Sequence, residues 1–333
     1  MSLDLSIYKQ NRINEFQNIY NNNTSRLYSN VLINIRNIQK SRLNVKTKQL
    51  QLINLINQYN NNLNSLKTVF NKSILSINTY VPKSIIINKN KNALLIGINY
   101  TGTQNELYGC INDVNSIKDR IILNGFNNIT VMTDLTSKKA TRDNILNEFK
   151  NLLVNSQEGD LLFLLYSGHG SYDIDRNGDE NTGYDQLIVP CDFNTILDDE
   201  LKSIIQKNLK PNVTLFAMFD SCFSGSVLDL RYQYMDSLNY DKFTENVKEL
   251  ETKGDVFMIS GCNDYQTSAD AFINNKANGA MTWSLLEALK EKPNCNWREL
   301  VKSMRDLLKK SQYDQIPQFS SGTFENIDAS VFI

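Results

Sequence analysis

The chain has 333 residues, 41% of them hydrophobic, with a net charge of −1; that length suits one large domain with an appendage or two small ones, and the apolar share suffices for a full core. The near-zero total hides an asymmetry: residues 1–92 carry 13 Lys and Arg against 2 Asp and Glu, so a basic arm stands beside an acidic body, and either the two attract or the arm meets an acidic partner. No run reaches the ~18 apolar residues of a membrane span, and the N-terminus lacks the apolar core and cleavage site of a signal peptide, so the expectation is a cytoplasmic protein without a membrane partner.

Residues 1–90 are rich in Asn, Ile, Leu and Lys, with Asn triplets beginning at Asn21 and Asn60. Asn content alone would suggest disorder. However, Leu27, Val31, Ile35 and Ile38, then Leu52, Leu55, Tyr59, Leu63, Leu66 and Phe70, recur at steps of three and four. That spacing lays apolar groups along one helix face and predicts helices, paired as a hairpin. Val81–Pro82 marks a break, because proline pushes the preceding residue out of the helical well. From Asn92 the pattern changes. NALLIGINY is a short apolar strand, VNSIKDRIILNGF a helix ended by Gly125, ITVMTD a strand, and TRDNILNEFKNLL a helix starting at a Thr cap. LLFLLYS, QLIVPCDF, VTLFAMFDS and VFMISGC follow as strands, AMTWSLLEALK and NWRELVKSMRDLLKK as helices, and QIPQFSSG as a closing strand. Strands alternating with helices give an α/β layer fold with a largely parallel sheet. Leu230 to Gly254 is polar without a clear period and reads as a linker.

Five cysteines occur, at 110, 191, 222, 262 and 295. The number is odd, there is no CxxC, and one histidine cannot complete a usual zinc set, so reduced and mostly buried thiols are expected. That one histidine, His169, follows LLFLLYS-Gly168. Cys222 follows LFAMFD-Ser221 in a similar context. In an open α/β sheet, reactive groups gather at the carboxyl edge of the strands. Both candidates sit at a strand end among small residues, which leave room for a substrate backbone and free main-chain N–H groups for a developing oxyanion. A cysteine attacks as its thiolate and a neighbouring imidazole takes the proton. His169 and Cys222 are therefore the candidate pair, set against the plainer reading of a packing cysteine and a histidine without duty. No strand is followed by a G-x-G-x-x-G or P-loop pattern, which argues against a nucleotide-binding domain.

The chain resembles a metacaspase, of the caspase-like clan of cysteine peptidases and closest to the type with a short linker. The resemblance rests on NALLIGINY, LYGCINDV, LLYSGHGS, GYDQLIVPCDF, FDSCFSGSVLDL, ISGCNDYQTSADA, GAMTWSLL, WRELVKSMR and QIPQFSSG, in the family's order from Asn92 onward. It implies a caspase-hemoglobinase-like sandwich with a helical N-terminal arm. Residues 1–90 would be the arm or pro-segment, 91–230 a large-subunit-like region, 231–253 a linker, and 254–333 a small-subunit-like region completing the same domain. His169 would be the base and Cys222 the nucleophile, with the N–H groups of Gly170 and Cys222 as oxyanion hole. Cys110, Asp113, Ser167 and Asp220 would form a pocket for Arg or Lys of a protein or peptide substrate. Two carboxylates at a cleft floor suit a guanidinium, though Asp113 also reads as an ordinary carboxylate of a first helical turn.

The resemblance further implies activating calcium, held by Asp185, Asp198, Asp199 and Asp229, since clustered carboxylates on loops suit a hard cation. Asp173 to Gly178 matches the opening of an EF-hand loop, but Tyr184 stands where the bidentate Glu belongs, so a solvated loop is expected there. Phe223 follows the nucleophile where the family commonly has His, making the cleft rim more apolar. The arm lacks the Pro- and Gln-rich or zinc-finger character of many metacaspase prodomains. It reads as an inhibitory pro-segment placing a basic side chain in the pocket, as an interaction module, or as a spacer. Self-cleavage would fall at Arg231, Lys242, Lys248 or Lys253. The resemblance implies a monomer, with no nucleic acid expected as partner. A non-enzymatic regulatory relative is the alternative, disfavoured because such relatives usually lack the Cys or the His.

Overall fold

The computed structural model describes residues 2–79, 90–174, 183–234, 244–246, 249–261, 270–273, 276–323 and 330–333. Before Thr79 the three- and four-residue period becomes α1 (Ser2–Lys40) and α2 (Val45–Thr79). Asn44 caps α2, its Oδ1 accepting from Thr47 N at 2.9 Å. Tyr20 meets Phe70 with ring centroids 4.7 Å apart, and Lys9 Nζ donates to Asn78 O at 2.8 Å. Such pairings make the two helices antiparallel, as the hairpin reading predicts. The hairpin forms one compact unit and the chain from Ile85 onward a second. No helix among the described residues is long and apolar enough to cross a membrane.

The second unit begins with β1 (Lys91–Gly97), α3 (Cys110–Leu123), β2 (Asn128–Thr133), α4 (Arg142–Val154) and β3 (Leu161–Ser167). Then come β4 (Gly170–Ile174), β5 (Tyr184–Ile188), β6 (Ile196–Leu197), α5 (Asp198–Asn208), β7 (Thr214–Asp220), β8 (Tyr232–Tyr234) and β9 (Thr244–Glu245). β10 (Asp255–Ser260), β11 (Asp270–Ile273), β12 (Lys276–Gly279), α6 (Ala280–Glu291), α7 (Trp297–Lys310) and β13 (Gln318–Ser321) complete it. The main sheet runs β2-β1-β3-β7-β10-β13-β8-β9. Its first five strands are parallel and its last three join antiparallel.

Strands covered on both faces need nearly continuous apolar runs, and every residue of β3 is buried. Successive side chains alternate between the faces. Leu95, Phe163 and Phe216 pack toward α3, α6 and α7, through Val114, Leu285 and Trp297. Leu94, Leu164 and Leu215 pack toward α4 and α5, through Phe149 and Leu201. The result is an α/β sandwich with a largely parallel centre, as expected.

Four details differ from the sequence reading. QLIVPCDF does not enter the main sheet. Only its first part is strand, in β5, which lies between β4 and β6 in a separate antiparallel sheet. Its apolar run is short, and β4, close by in sequence, competes successfully for its edge. LDDELKSIIQKN is the helix α5 rather than a loop; one turn apart, Leu201 and Ile205 supply most of its buried face, too few positions for a period to show. Within 231–253, read as a linker, β8 joins the main sheet beside β13, with Tyr232 and Tyr234 buried. Thr141 precedes α4 in extended conformation, yet its side chain makes no cap bond; Asp192 Oδ1 accepts from Arg142 N instead, at 3.1 Å. The supposed EF-hand opening from 175 onward, the Val81–Pro82 break, Cys262, Lys242 and Lys248 lie outside the described residues.

Candidate active site

Strand register brings the two reactive residues together. β3 and β7 are parallel neighbours, and Ser167 lies opposite Asp220. His169 and Cys222 each stand two residues beyond that pair, so both leave the same edge of adjacent strands, which are ~4.8 Å apart. Gly168 N donates to Asp220 O at 3.3 Å, tying one turn to the other. Beyond them, a Cβ on Gly170 would lie 2.1 Å from Cys222 O. Only glycine permits that approach.

The histidine turn is clamped by two tyrosines that the sequence reading passed over. Tyr100 Oη accepts from His169 N at 2.9 Å and donates to Val189 O at 2.5 Å. Tyr166 Oη donates to His169 O at 2.7 Å and accepts from Val189 N at 3.1 Å. Burial pushes both phenols well above the usual tyrosine range, so they stay hydroxyl donors. Tyr100 itself sits at φ 51°, a strained backbone for a bulky residue. Its turn is held by Asp134, which accepts from Asn99 N at 3.1 Å and Thr101 N at 2.9 Å. Burial raises the Asp134 carboxyl, but those hydrogen bonds outweigh it and leave the group below its ordinary range. The His169 ring lies over Tyr100 at 4.6 Å, and its Nε2 is 2.8 Å from Asn105 O. A carbonyl only accepts, so in that contact Nε2 carries the proton and Nδ1 is the basic nitrogen of the neutral ring.

Below this pair is a hollow of about 110 Å³ lined by His169 and Cys222 together with Cys110, Asp113, Ser167 and Asp220. All four residues predicted for the substrate pocket therefore meet there. Asp113 is in the first turn of α3, as the plain helix reading requires, but its oxygens face the hollow. Oδ2 accepts from Ser167 Oγ at 2.8 Å, and both oxygens lie within 3.0 Å of Gly279 N. Asp220 Oδ2 accepts from Thr282 N at 2.9 Å and Thr282 Oγ1 at 2.7 Å, so it also caps the start of α6. Gly279 separates the two carboxylates: a Cβ there would be 2.1 Å from Asp220 Oδ2 and 2.8 Å from Asp113 Oδ2. Gly279 and Thr282 fall within GAMTWSLL, read only as family likeness and helix; their place at the pocket floor had no local signal. A hollow of about 160 Å³ elsewhere includes Asn92 and Asn128 at the sheet's amino edge and Glu148 of α4, with neither Cys nor His in its lining. Chemistry rather than size marks the site.

The four aspartates expected at a cation are spread over β5, the start of α5 and the segment after Cys222. Asp185 is on β5, Asp198 and Asp199 open α5, and Asp229 lies in that segment at φ 44°. Asp185, Asp198 and Asp229 are buried. Asp198 is engaged by backbone, accepting from Gln186 N at 2.6 Å and Asp199 N at 2.8 Å. The ammonium of Lys202, unremarked in the sequence, stands 3.7 Å from Asp229 Oδ2 and 2.8 Å from Glu249 Oε1. Among the described residues no three acidic, Cys or His side chains converge closely enough to hold a metal ion. The four carboxylates supply oxygen donors of the kind a hard cation prefers.

A thiol outside any disulfide and an imidazole at neighbouring strand ends of an α/β sandwich, above a two-carboxylate hollow, are the arrangement expected of a Cys–His hydrolase. Residues 91–231 match the family model for the metacaspase, peptidase C14 domain. Metacaspase-1A of Neurospora crassa is 36% identical over 291 residues, spanning 72% of this chain and 64% of that one. Metacaspase-1 of Scheffersomyces stipitis is 36% identical over 69% of this chain and 70% of that one, and its Schizosaccharomyces pombe namesake 36% over 69% and 67%. The chain thus spans about two thirds of the length of these relatives. A Geobacter sulfurreducens protein of known crystal structure aligns with TM-score 0.55 at 26% identity, covering 73% of this chain and 98% of that one. The chain belongs to the metacaspase family, whose members are cysteine-type peptidases.

Proposed function

We propose that the chain is a cysteine endopeptidase that cuts after Arg or Lys, with Cys222 as nucleophile and His169 as base. The observation that carries this reading is the register of β3 and β7, which sets imidazole and thiol at equivalent positions on adjacent strands above two carboxylates. The substrate's guanidinium or ammonium enters the hollow and pairs with Asp113 and Asp220, Arg in the fork geometry a carboxylate favours. Nδ1 of His169 takes the Cys222 proton, and the thiolate attacks the carbonyl carbon of the basic residue. Negative charge then moves to the carbonyl oxygen. Val189 N donates to His169 O at 3.1 Å, and bonded and non-bonded positions alternate along an antiparallel pair. The next position, Gly170 opposite Ile188, is therefore non-bonded, and the Gly170 N–H is turned out of the hairpin. With the Cys222 N–H it serves the oxyanion. The imidazolium protonates the departing amine, leaving a thioester. Water, deprotonated by His169, then releases the acid and regenerates the thiol.

Calcium activation belongs to the proposal only as donor chemistry; with Lys202 at Asp229, no step above uses the ion. The arm as inhibitory segment is supported by its charge, 13 basic against 2 acidic residues through Asn92. Of the basic residues available for self-cleavage, Arg231 and Lys253 are described, and Arg231 Nη1 donates to Glu249 O at 3.0 Å. The test is hydrolysis of a small Arg-ended fluorogenic peptide by the natural chain and by Cys222→Ala, with and without calcium. Hydrolysis by the natural chain alone supports the reading; equal rates discard it in favour of a non-enzymatic role. Deleting residues 1–80 should raise activity if the arm inhibits.

A further inference from the structure

On the other side of the reactive pair the cleft rim is aromatic, and no step above uses it. Phe223, directly after the nucleophile, sits at φ 52°, a conformation L side chains seldom adopt and that is retained at functional sites. Its ring meets Tyr172 edge-on with centroids 5.0 Å apart, and Tyr172 meets Tyr184 in the same manner at 5.1 Å. Tyr172 and Ile174 share one face of β4, and Ile174 lies opposite Tyr184 on β5. Tyr172 is 49% exposed, Tyr184 43% and Ile174 66%. Single exposed apolar residues need no explanation, but a contiguous group beside a reactive sulfur does.

Chain direction places this patch. In both turns the residues before the reactive one, Ser167 and Asp220, line the carboxylate hollow, whereas those after it, Tyr172 and Phe223, form the patch and are absent from that lining. Along both turns, the reactive residue comes between the hollow and the patch. A peptide whose basic side chain fills the hollow has its cut bond over the sulfur. The residue that leaves with the new amine then lies on the aromatic side.

We propose that Phe223, Tyr172, Tyr184 and Ile174 form a subsite for an aromatic or large aliphatic side chain on the residue that follows the cut bond. This rests on the peptidase reading. Rings with two side-chain torsions offer contact area with little ordering cost, and partial exposure limits the gain to a graded preference. The experiment uses the full chain and quenched peptides with Arg before the cut bond. One series places Phe, Leu, Gly or Asp after it, and a second varies the residue preceding the Arg. The natural chain should favour Phe or Leu over Gly after the cut by about 3- to 10-fold in kcat/KM. Tyr172→Ala and, independently, Ile174→Asn should bring the Phe/Gly ratio toward one, whereas Tyr172→Phe should keep it. A general loss of folding would lower all rates and leave the ratio unchanged, which would count against the subsite. Equal rates across the first series, or a preference confined to the second, would overturn the proposal while leaving the peptidase intact. No turnover of any peptide would overturn both.

Discussion

On one side of Cys222, Asp113 and Asp220 are 0% and 5% exposed and accept hydrogen bonds from Ser167, Gly279 and Thr282; on the other, Tyr172 and Tyr184 stand nearly half exposed. Buried charges held by fixed donors cannot relax toward a neutral guest, so mismatches there are costly. Half-exposed rings can trade one apolar guest for another at small cost, because water still reaches them. On the proposed reading, the same pair of strand ends carries a strict pocket and a permissive rim. The family resemblance named the first and marked Phe223 as an apolar departure; packing showed the rings grouped with it.

The comparison can be tested first at its centre. Cys222→Ala should lower hydrolysis of an Arg peptide on the order of 10⁶-fold, measured by initial rate, with the melting temperature nearly kept because the residue is only partly buried. A smaller effect would mean that the sulfur does not divide the two sides. The strict side should respond next. Asp220→Asn or Asp113→Asn should cost kcat/KM for Arg peptides on the order of 10²–10³, from the ~2–5 kcal/mol of a truncated charge pair. A citrulline peptide, neutral at the same shape, should be a poor substrate for the natural chain. If it is cut as well as Arg, charge is not what the hollow reads.

Gly279→Ala should disturb both carboxylates together and cost ~1–3 kcal/mol in stability, the usual range for overpacking, read by thermal or denaturant unfolding. Tyr166→Phe removes the hydroxyl between His169 O and Val189 N. It should cost about 1 kcal/mol in stability and lower kcat more than it raises KM, since it loosens the base rather than the pocket. The smallest effect is expected at Asp229. In a Cys222→Ala background, Lys202→Met should enlarge the calcium-induced rise in melting temperature, because it removes the ammonium beside Asp229. No change on calcium addition in either protein would remove the cation from the proposal.

Length, charge asymmetry and apolar period were enough for the helical arm, the parallel strands and the two strand-end turns, because each depends on neighbours within a few residues. QLIVPCDF marks where that local reading fails. Its apolar run is the same whether it enters the main sheet or pairs with β4, and pairing is decided elsewhere in the chain. His169 and Cys222 were legible as a pair through their matching strand-end contexts. Their adjacency, however, needed β3 beside β7 with Ser167 opposite Asp220. The carbonyl of Asn105, the tyrosine clamp, Gly279 between two carboxylates, Lys202 at Asp229 and the rings that join Phe223 at the rim were not legible at all. Each joins residues distant in sequence, and which of them touch is set by strand order and register, quantities that the periodicity of a one-dimensional chain does not contain.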